Sequence, residues 1–210
     1  GFYRALKKLP AENDGTREKP VELGNGLRSR ILLAHSGLGS LEKIDGVIEI
    51  YVPKGWYING DILNPRAKPQ FYLSEDIKED LNIKSYELFY PEAYGVLSQG
   101  KARRILINSV KFPITFERRD IDKGISIKGN FAFEICQAKT DECRQMISQN
   151  ELTLPPSQDI TPSLHNNYIE RAFRNLPQQK TKTVSLNTAY YNPETGRLTL
   201  KFDTKKTFNN

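Results

Sequence analysis

The chain has 210 residues, 38% hydrophobic and 27% charged, with a formal net charge of +6 and two cysteines. No run of about 18 consecutive apolar residues occurs, so no helical membrane span is expected; 10 Phe, 10 Tyr and regularly spaced apolar residues exclude full disorder. Two thiols make at most one bridge, which excludes zinc fingers and multi-disulfide frameworks.

Residues 1–26 read as an irregular leader, broken by Pro10, Asp14-Gly15, Pro20 and Gly24-Asn25-Gly26. Phe2 to Leu6 lack the apolar core of a signal peptide and there is no initiator Met, so a processed or trimmed form is expected. From Leu27 the pattern is one of strands. Runs rich in β-formers lie at 28–34, 47–52, 70–73, 83–90, 104–107, 110–116, 124–135 and 150–154, with turn residues between them. Pro113 points to an edge or a bulge for the sixth run. Short runs without helix–strand alternation predict an all-β, antiparallel sandwich over 27–155.

Composition shifts after Pro155. Thr161-Pro162 reads as a helix start, and Leu164, Tyr168, Ile169, Ala172, Phe173 and Leu176 fall on one helical face, ended by Pro177. A polar linker over 178–182 leads to a hairpin. It sets Val184, Leu186 and Tyr190 against Leu198, Leu200 and Phe202, around a turn from Asn192 to Gly196. A frayed tail over 204–210 ends the chain. Residues 156–210 are thus a helix and hairpin extension. A lone hairpin is marginal, so this part docks on the sandwich or starts a second β-domain.

The basic excess has no recognition motif beside it. Lys101, Arg103, Arg104, Arg118, Arg119, Lys205 and Lys206 form scattered spots, read as solvated surface, and no nucleic-acid partner is expected. Cys136 ends a strand run and Cys143 starts the return segment, so the pair sits across a hairpin mouth, where a disulfide can form. Closing so short a loop stabilises by only roughly 2.5 kcal/mol, and a staple does more across a long one. A redox pair, a structural staple and free thiols all remain open on chemistry alone. Glu134, Asp141 and Glu142 outnumber Lys139 around the pair and disfavour a thiolate, so a redox role here means a disulfide attacked by a partner's thiolate. His35 and His165 are distant in sequence from both cysteines, and no Cys–His hydrolase or metal site is expected. Trp56-Tyr57 reads as core or rim of the sandwich, or else as a contact surface.

Several segments, in order, resemble one family. Residues 46–57, with the Gly55-Trp56-Tyr57 turn, resemble the opening strand of the N-terminal periplasmic domain of the thiol:disulfide interchange protein DsbD and its ScsB-type relatives. Tyr90-Pro91-Glu92-Ala93, Val110-Lys111-Phe112-Pro113-Ile114, the Phe131–Cys136 run with Cys143, and Leu152-Thr153-Leu154 resemble later segments of it. The resemblance covers about residues 27–155. It implies an immunoglobulin-like fold, a periplasmic location, no cofactor, and a cysteine pair that exchanges electrons with thioredoxin-fold partners through mixed disulfides. Carried over by position, Cys136 and Cys143 take the redox role. The resemblance also implies a cap loop over 95–101, with Val96, Leu97, Gly100 and Lys101, that shields the pair, and Tyr57 as the aromatic near it. The alternative is a non-enzymatic periplasmic interaction module with a structural disulfide.

Overall fold

A computed structural model describes residues 21–65, 67–74, 81–98, 101–177, 183–192 and 197–205. Residues 1–20 of the expected leader 1–26, the linker over 178–182, Gly100, the turn residues Pro193 to Gly196 and the tail beyond Lys205 lie outside the described residues, whereas Val21–Gly24 of that leader form a strand paired with Leu27–Ser29. The first strands are β1 (Val21–Gly24), β2 (Leu27–Leu33), β3 (His35–Leu38), β4 (Lys43–Tyr51) and β5 (Trp56–Asn59). Next come β6 (Gln70–Leu73), β7 (Ile83–Leu88), β8 (Tyr94–Ser98), β9 (Lys101–Leu106) and β10 (Ser109–Arg118). Then follow β11 (Ile125–Gln137), β12 (Cys143–Leu154), β13 (Ile160–Pro162), α1 (Asn166–Arg174), β14 (Thr183–Asn192) and β15 (Arg197–Lys205).

Two antiparallel sheets face each other, as the alternation predicts. One has the order β1-β2-β4-β10-β7; the other runs β12-β11-β5-β9-β8, with β6 also paired to β11. Ile31, Ile48, Ile50 and Phe112 from the first sheet meet Ile58, Phe131, Phe133 and Ile135 from the second. The rings of Phe112 and Phe131 lie 4.8 Å apart between the sheets. Each of these side chains contributes roughly 1.5–3 kcal/mol through burial.

The first sheet is covered on its outer face too. Leu32, Ala34 and Val47 point away from the sandwich and pack under Ile169 and Ala172 of α1. Burial on both faces explains why Val47 and Ile48 are both apolar and why all of 47–50, Glu49 included, is buried. Glu49 anchors the helix: it accepts hydrogen bonds from Tyr168 and Ser109, and Arg30 Nε lies 2.7 Å from its carboxylate.

Pro113 is neither at an edge nor at a bulge. It lies in β10, between β4 and β7, opposite Val47. Its carbonyl accepts the Phe89 N–H at 2.8 Å, so its nitrogen faces that same side, past the end of β7 at Leu88. The ladder to β4 loses nothing. Thr161-Pro162 does not start the helix. Both belong to β13, which pairs with β3, and α1 begins at Asn166. Ser163 explains the delay. Its N–H bonds to Ala34 O at 2.9 Å, and its hydroxyl donates to Leu33 O at 2.7 Å while accepting the His165 N–H. Leu164 then precedes the helix and is exposed, whereas Ile169 and Ala172 form the buried face.

Residues Pro177–Asn210 form a separate unit. Its strands form the expected hairpin, in which Leu186 stands opposite Phe202 and Val184 opposite Thr204. The register shifts between Leu186 and Thr188, so Ala189 and Tyr191, not Tyr190, face Leu200 and Leu198.

Candidate functional site

The cysteines close the longest ladder of the fold. β11 and β12 pair from Ile125↔Leu154 to Cys136↔Cys143, the last rung before the turn. The sulfurs are bonded, at 2.04 Å. The turn is closed by Gln137 N–H to Glu142 O and Asp141 N–H to Gln137 O, both 2.9 Å. Asp141 holds the left-handed conformation, with φ 58°, a region that Asp and Asn tolerate better than most residues.

The two sulfur-bearing residues have opposite environments. Ile125, Ile127, Phe131, Phe133 and Ile135 alternate into the core, so Cys136 lies on the outer face of its sheet. It is nevertheless fully buried, at 0% exposure. Cys143 is exposed.

Tyr57 stands beside Cys136. It is the β5 residue directly opposite Cys136 and shares its face of the sheet. Its hydroxyl donates to Asp141 Oδ1 at 3.1 Å and accepts from Arg103 Nη1 at 3.1 Å. Arg103 Nη2 lies 3.0 Å from the other carboxylate oxygen of Asp141. Burial, and then the hydrogen bond to Asp141, push the Tyr57 phenol up. Glu134, two residues before Cys136 on the same face, accepts a 2.7 Å bond from Asn59 Nδ2. One Glu134 oxygen and both sulfurs lie within 4.8 Å of one another. Bonded to each other, the sulfurs offer no thiolate to a metal. The grouping includes neither histidine. Arg144, next to Cys143, stacks over Trp56 at 5.2 Å.

Of the residues expected as a cap, Val96 and Leu97 lie on β8, which β9 and β5 separate from β11. Val96 pairs with Arg103 and Leu97 with Ala102. Leu97 is 82% exposed. With Tyr57, Asn59 and Arg103, these two residues line an open cleft of about 660 Å³. Lys101 starts β9, and its side chain lies outside the described residues, as does Gly100. Trp56 is half-buried, and Tyr57 is buried on the face of the sheet that carries Cys136.

Sequence reasoning missed Arg103 and Asn59, and took Asp141 only as a charge near the thiols. Arg103 stood in a basic spot read as solvated surface. Arg103 is in fact half-buried, and Arg118, in another such spot, is buried. It donates to the carbonyls of Gly39 and Leu41 at 3.1 and 2.8 Å, and to those of Ile121 and Lys123. A charge run carries no signal that distinguishes a solvated arginine from one folded onto acceptors.

These features define an antiparallel β-sandwich with a disulfide across the mouth of a hairpin, one sulfur-bearing residue buried and the other open. No protein-family model matches the chain, and no curated protein sequence matches it. Among solved structures it is similar to the N-terminal periplasmic domain of ScsB from Proteus mirabilis. The TM-score is 0.57 and the identity 14%, over 92% of this chain and 70% of that one. The likeness establishes a shared fold, and ScsB is among the relatives that the sequence segments resemble.

Proposed function

We propose that the domain is a periplasmic thiol–disulfide interchange module that passes electrons through Cys136–Cys143 to or from a thioredoxin-fold partner. The observation that carries this reading is the asymmetry of the disulfide, with Cys136 at 0% exposure and Cys143 exposed. A staple has no use for an open end, whereas exchange requires one.

In the reducing direction, a partner thiolate attacks Cys143 Sγ in line with the S–S bond. That bond breaks as the intermolecular one forms. The electron pair goes to Cys136 Sγ, which takes a proton from water. The partner's second thiolate then attacks its own bridged sulfur. The pair returns to Cys143 Sγ, the partner leaves oxidised, and both cysteines end as thiols after a second protonation. The opposite direction is the same path reversed. The cleft that Tyr57 shares with Val96, Leu97 and Arg103 supplies an apolar contact for the docking partner.

Position in the ladder argues against a purely structural role. The bridge joins residues that backbone pairing already holds opposite each other, and it adds only roughly 2.5 kcal/mol. The test is a glutathione redox titration, joined to trapping with Cys136→Ser. A potential well above about −300 mV is expected, together with a mixed disulfide between Cys143 and a thioredoxin-fold protein. A potential far below that value, with partner binding intact in the double serine variant, would establish the interaction module with a structural disulfide instead.

A further inference from the structure

We propose that Arg103, Asp141 and Tyr57 form a latch that confines exchange to the Cys143 sulfur, acting as positioning residues that decide which sulfur a partner can attack. The inference rests on the interchange reading for its biological meaning. The reactivity that it assigns belongs to the thiols themselves.

The sheet alone does not bury Cys136. On β11 the outer face carries Lys128, Asn130, Ala132, Glu134 and Cys136. The first four are only partly buried, while Cys136 is completely so. An added cover is needed at that rung and at no other. Tyr57 stands opposite Cys136 on the same face, and Asp141 lies in the turn joining the cysteines.

That cover is held from a third strand. β9 pairs with β5 at Ile58↔Leu106 and Asn59↔Ile105, so Arg103 lies beyond the paired stretch. Its side chain runs back along β5 to reach Tyr57. There one nitrogen bonds the phenol and the other the carboxylate, at 3.1 and 3.0 Å. The fork of a guanidinium suits this double contact, and an ammonium does not. Three parts of the fold thus meet over one sulfur: β5, β9 and the turn. A turn residue with positive φ does not require a carboxylate, since Gly or Asn serves there as well. The carboxylate of Asp141 is explained by its two partners.

The chemical consequence is an ordered exchange. The entering thiolate meets only Cys143 Sγ, and the electron pair of the broken bond always leaves on Cys136. The freed Cys136 thiol stays covered while the partner's second thiolate resolves the mixed disulfide; in the opposite direction Cys136, beside Cys143, attacks the mixed disulfide and the partner leaves reduced. Without the latch, either sulfur would accept attack, and half of the encounters would leave the partner bonded to the recessed residue.

The experiment measures thiol reactivity with 5,5′-dithiobis(2-nitrobenzoate) in two reduced single-cysteine proteins, Cys143→Ser and Cys136→Ser. With the latch intact, the Cys136 thiol should react ~30-fold more slowly than the Cys143 thiol. Adding Arg103→Met or Asp141→Asn should narrow that ratio about fivefold or more, chiefly by speeding Cys136. Arg103→Lys keeps the charge without the fork, and should give an intermediate ratio. A loss of stability alone would also speed the buried thiol, so the ratio is compared with that in Gly129→Ala, which crowds Phe71, away from these three residues; an equal narrowing there would overturn the latch. Equal rates in the starting pair, or a ratio unmoved by all three substitutions in proteins that still unfold cooperatively, would overturn the latch. Failure to trap any thioredoxin-fold partner would sink the interchange reading and leave these rates as they are.

Discussion

Tyr57 lies on the same rung as Cys136, and its hydroxyl touches both the turn between the cysteines and Arg103 on the neighbouring strand. Tyr57→Phe keeps the ring over the sulfur and deletes both hydroxyl bonds, leaving the Arg103–Asp141 pair. The oxidised protein should lose about 1 kcal/mol in urea unfolding. An unchanged midpoint would mean that these bonds are fully replaced by water.

Replacing both cysteines by serine should cost no more than roughly 2.5 kcal/mol, because β11 and β12 remain paired along their whole length. Urea unfolding of the double variant against the oxidised parent measures this. A loss of twice that size would make the bridge a principal element of stability and revive the staple.

Gly129 is a position where a small change should matter. A Cβ there would lie 2.3 Å from the ring of Phe71. Phe71 is buried and edge-on to Tyr86 and Phe116, at 5.2 and 6.0 Å. Gly129→Ala should therefore destabilise by about 1–3 kcal/mol. At Gly95 an added Cβ would meet nothing within 4 Å, so Gly95→Ala should fall within about 0.5 kcal/mol of the parent. Equal midpoints for the two variants would contradict the packing described.

Glu49 and Tyr168 make the helix contact sensitive to pH at both extremes. Burial by itself would raise the Glu49 carboxyl. The hydrogen bonds from Ser109, Tyr168 and Arg30, with the Arg30 charge, outweigh it and hold the group below the usual 4.5. Its contribution is present above pH 4.5 and is lost as pH falls through the lower folded value. Tyr168 is pushed from 10.0 up to about 12 by burial and then by Glu49. Its contribution is complete below pH 10.0 and is lost as pH rises towards 12. Melting temperatures of Glu49→Gln and the parent should therefore converge as pH falls below 4.5. Parallel curves across that range would remove Glu49 from the acid response.

Much of the fold was legible because its signals are local. Ile125, Ile127, Phe131 and Phe133 alternate without interruption, and the structure has a strand there with those residues inside. β12 was seen only at its end, 150–154, because it is an edge strand whose first half is polar and exposed. β3 and β13 are short and pair only with each other, and neither has enough residues to show a period. Pro113 misled because a rule about missing donors was applied without knowing which side the nitrogen faced.

The sequence by itself determined the sandwich class, the helix face built on Ile169 and Ala172, and the placement of Cys136 and Cys143 at a hairpin mouth. All three follow from periodicity and spacing within one stretch of chain. Only the tertiary structure decided that Cys136 is covered and Cys143 open. That difference comes from Tyr57 and Arg103, respectively 79 and 33 positions before Cys136 by numbering. Their approach to Asp141 is fixed by the pairing of β5 with β11 and with β9. Contacts between side chains so far apart leave no periodic trace, because sheet register, and not local propensity, brings them together.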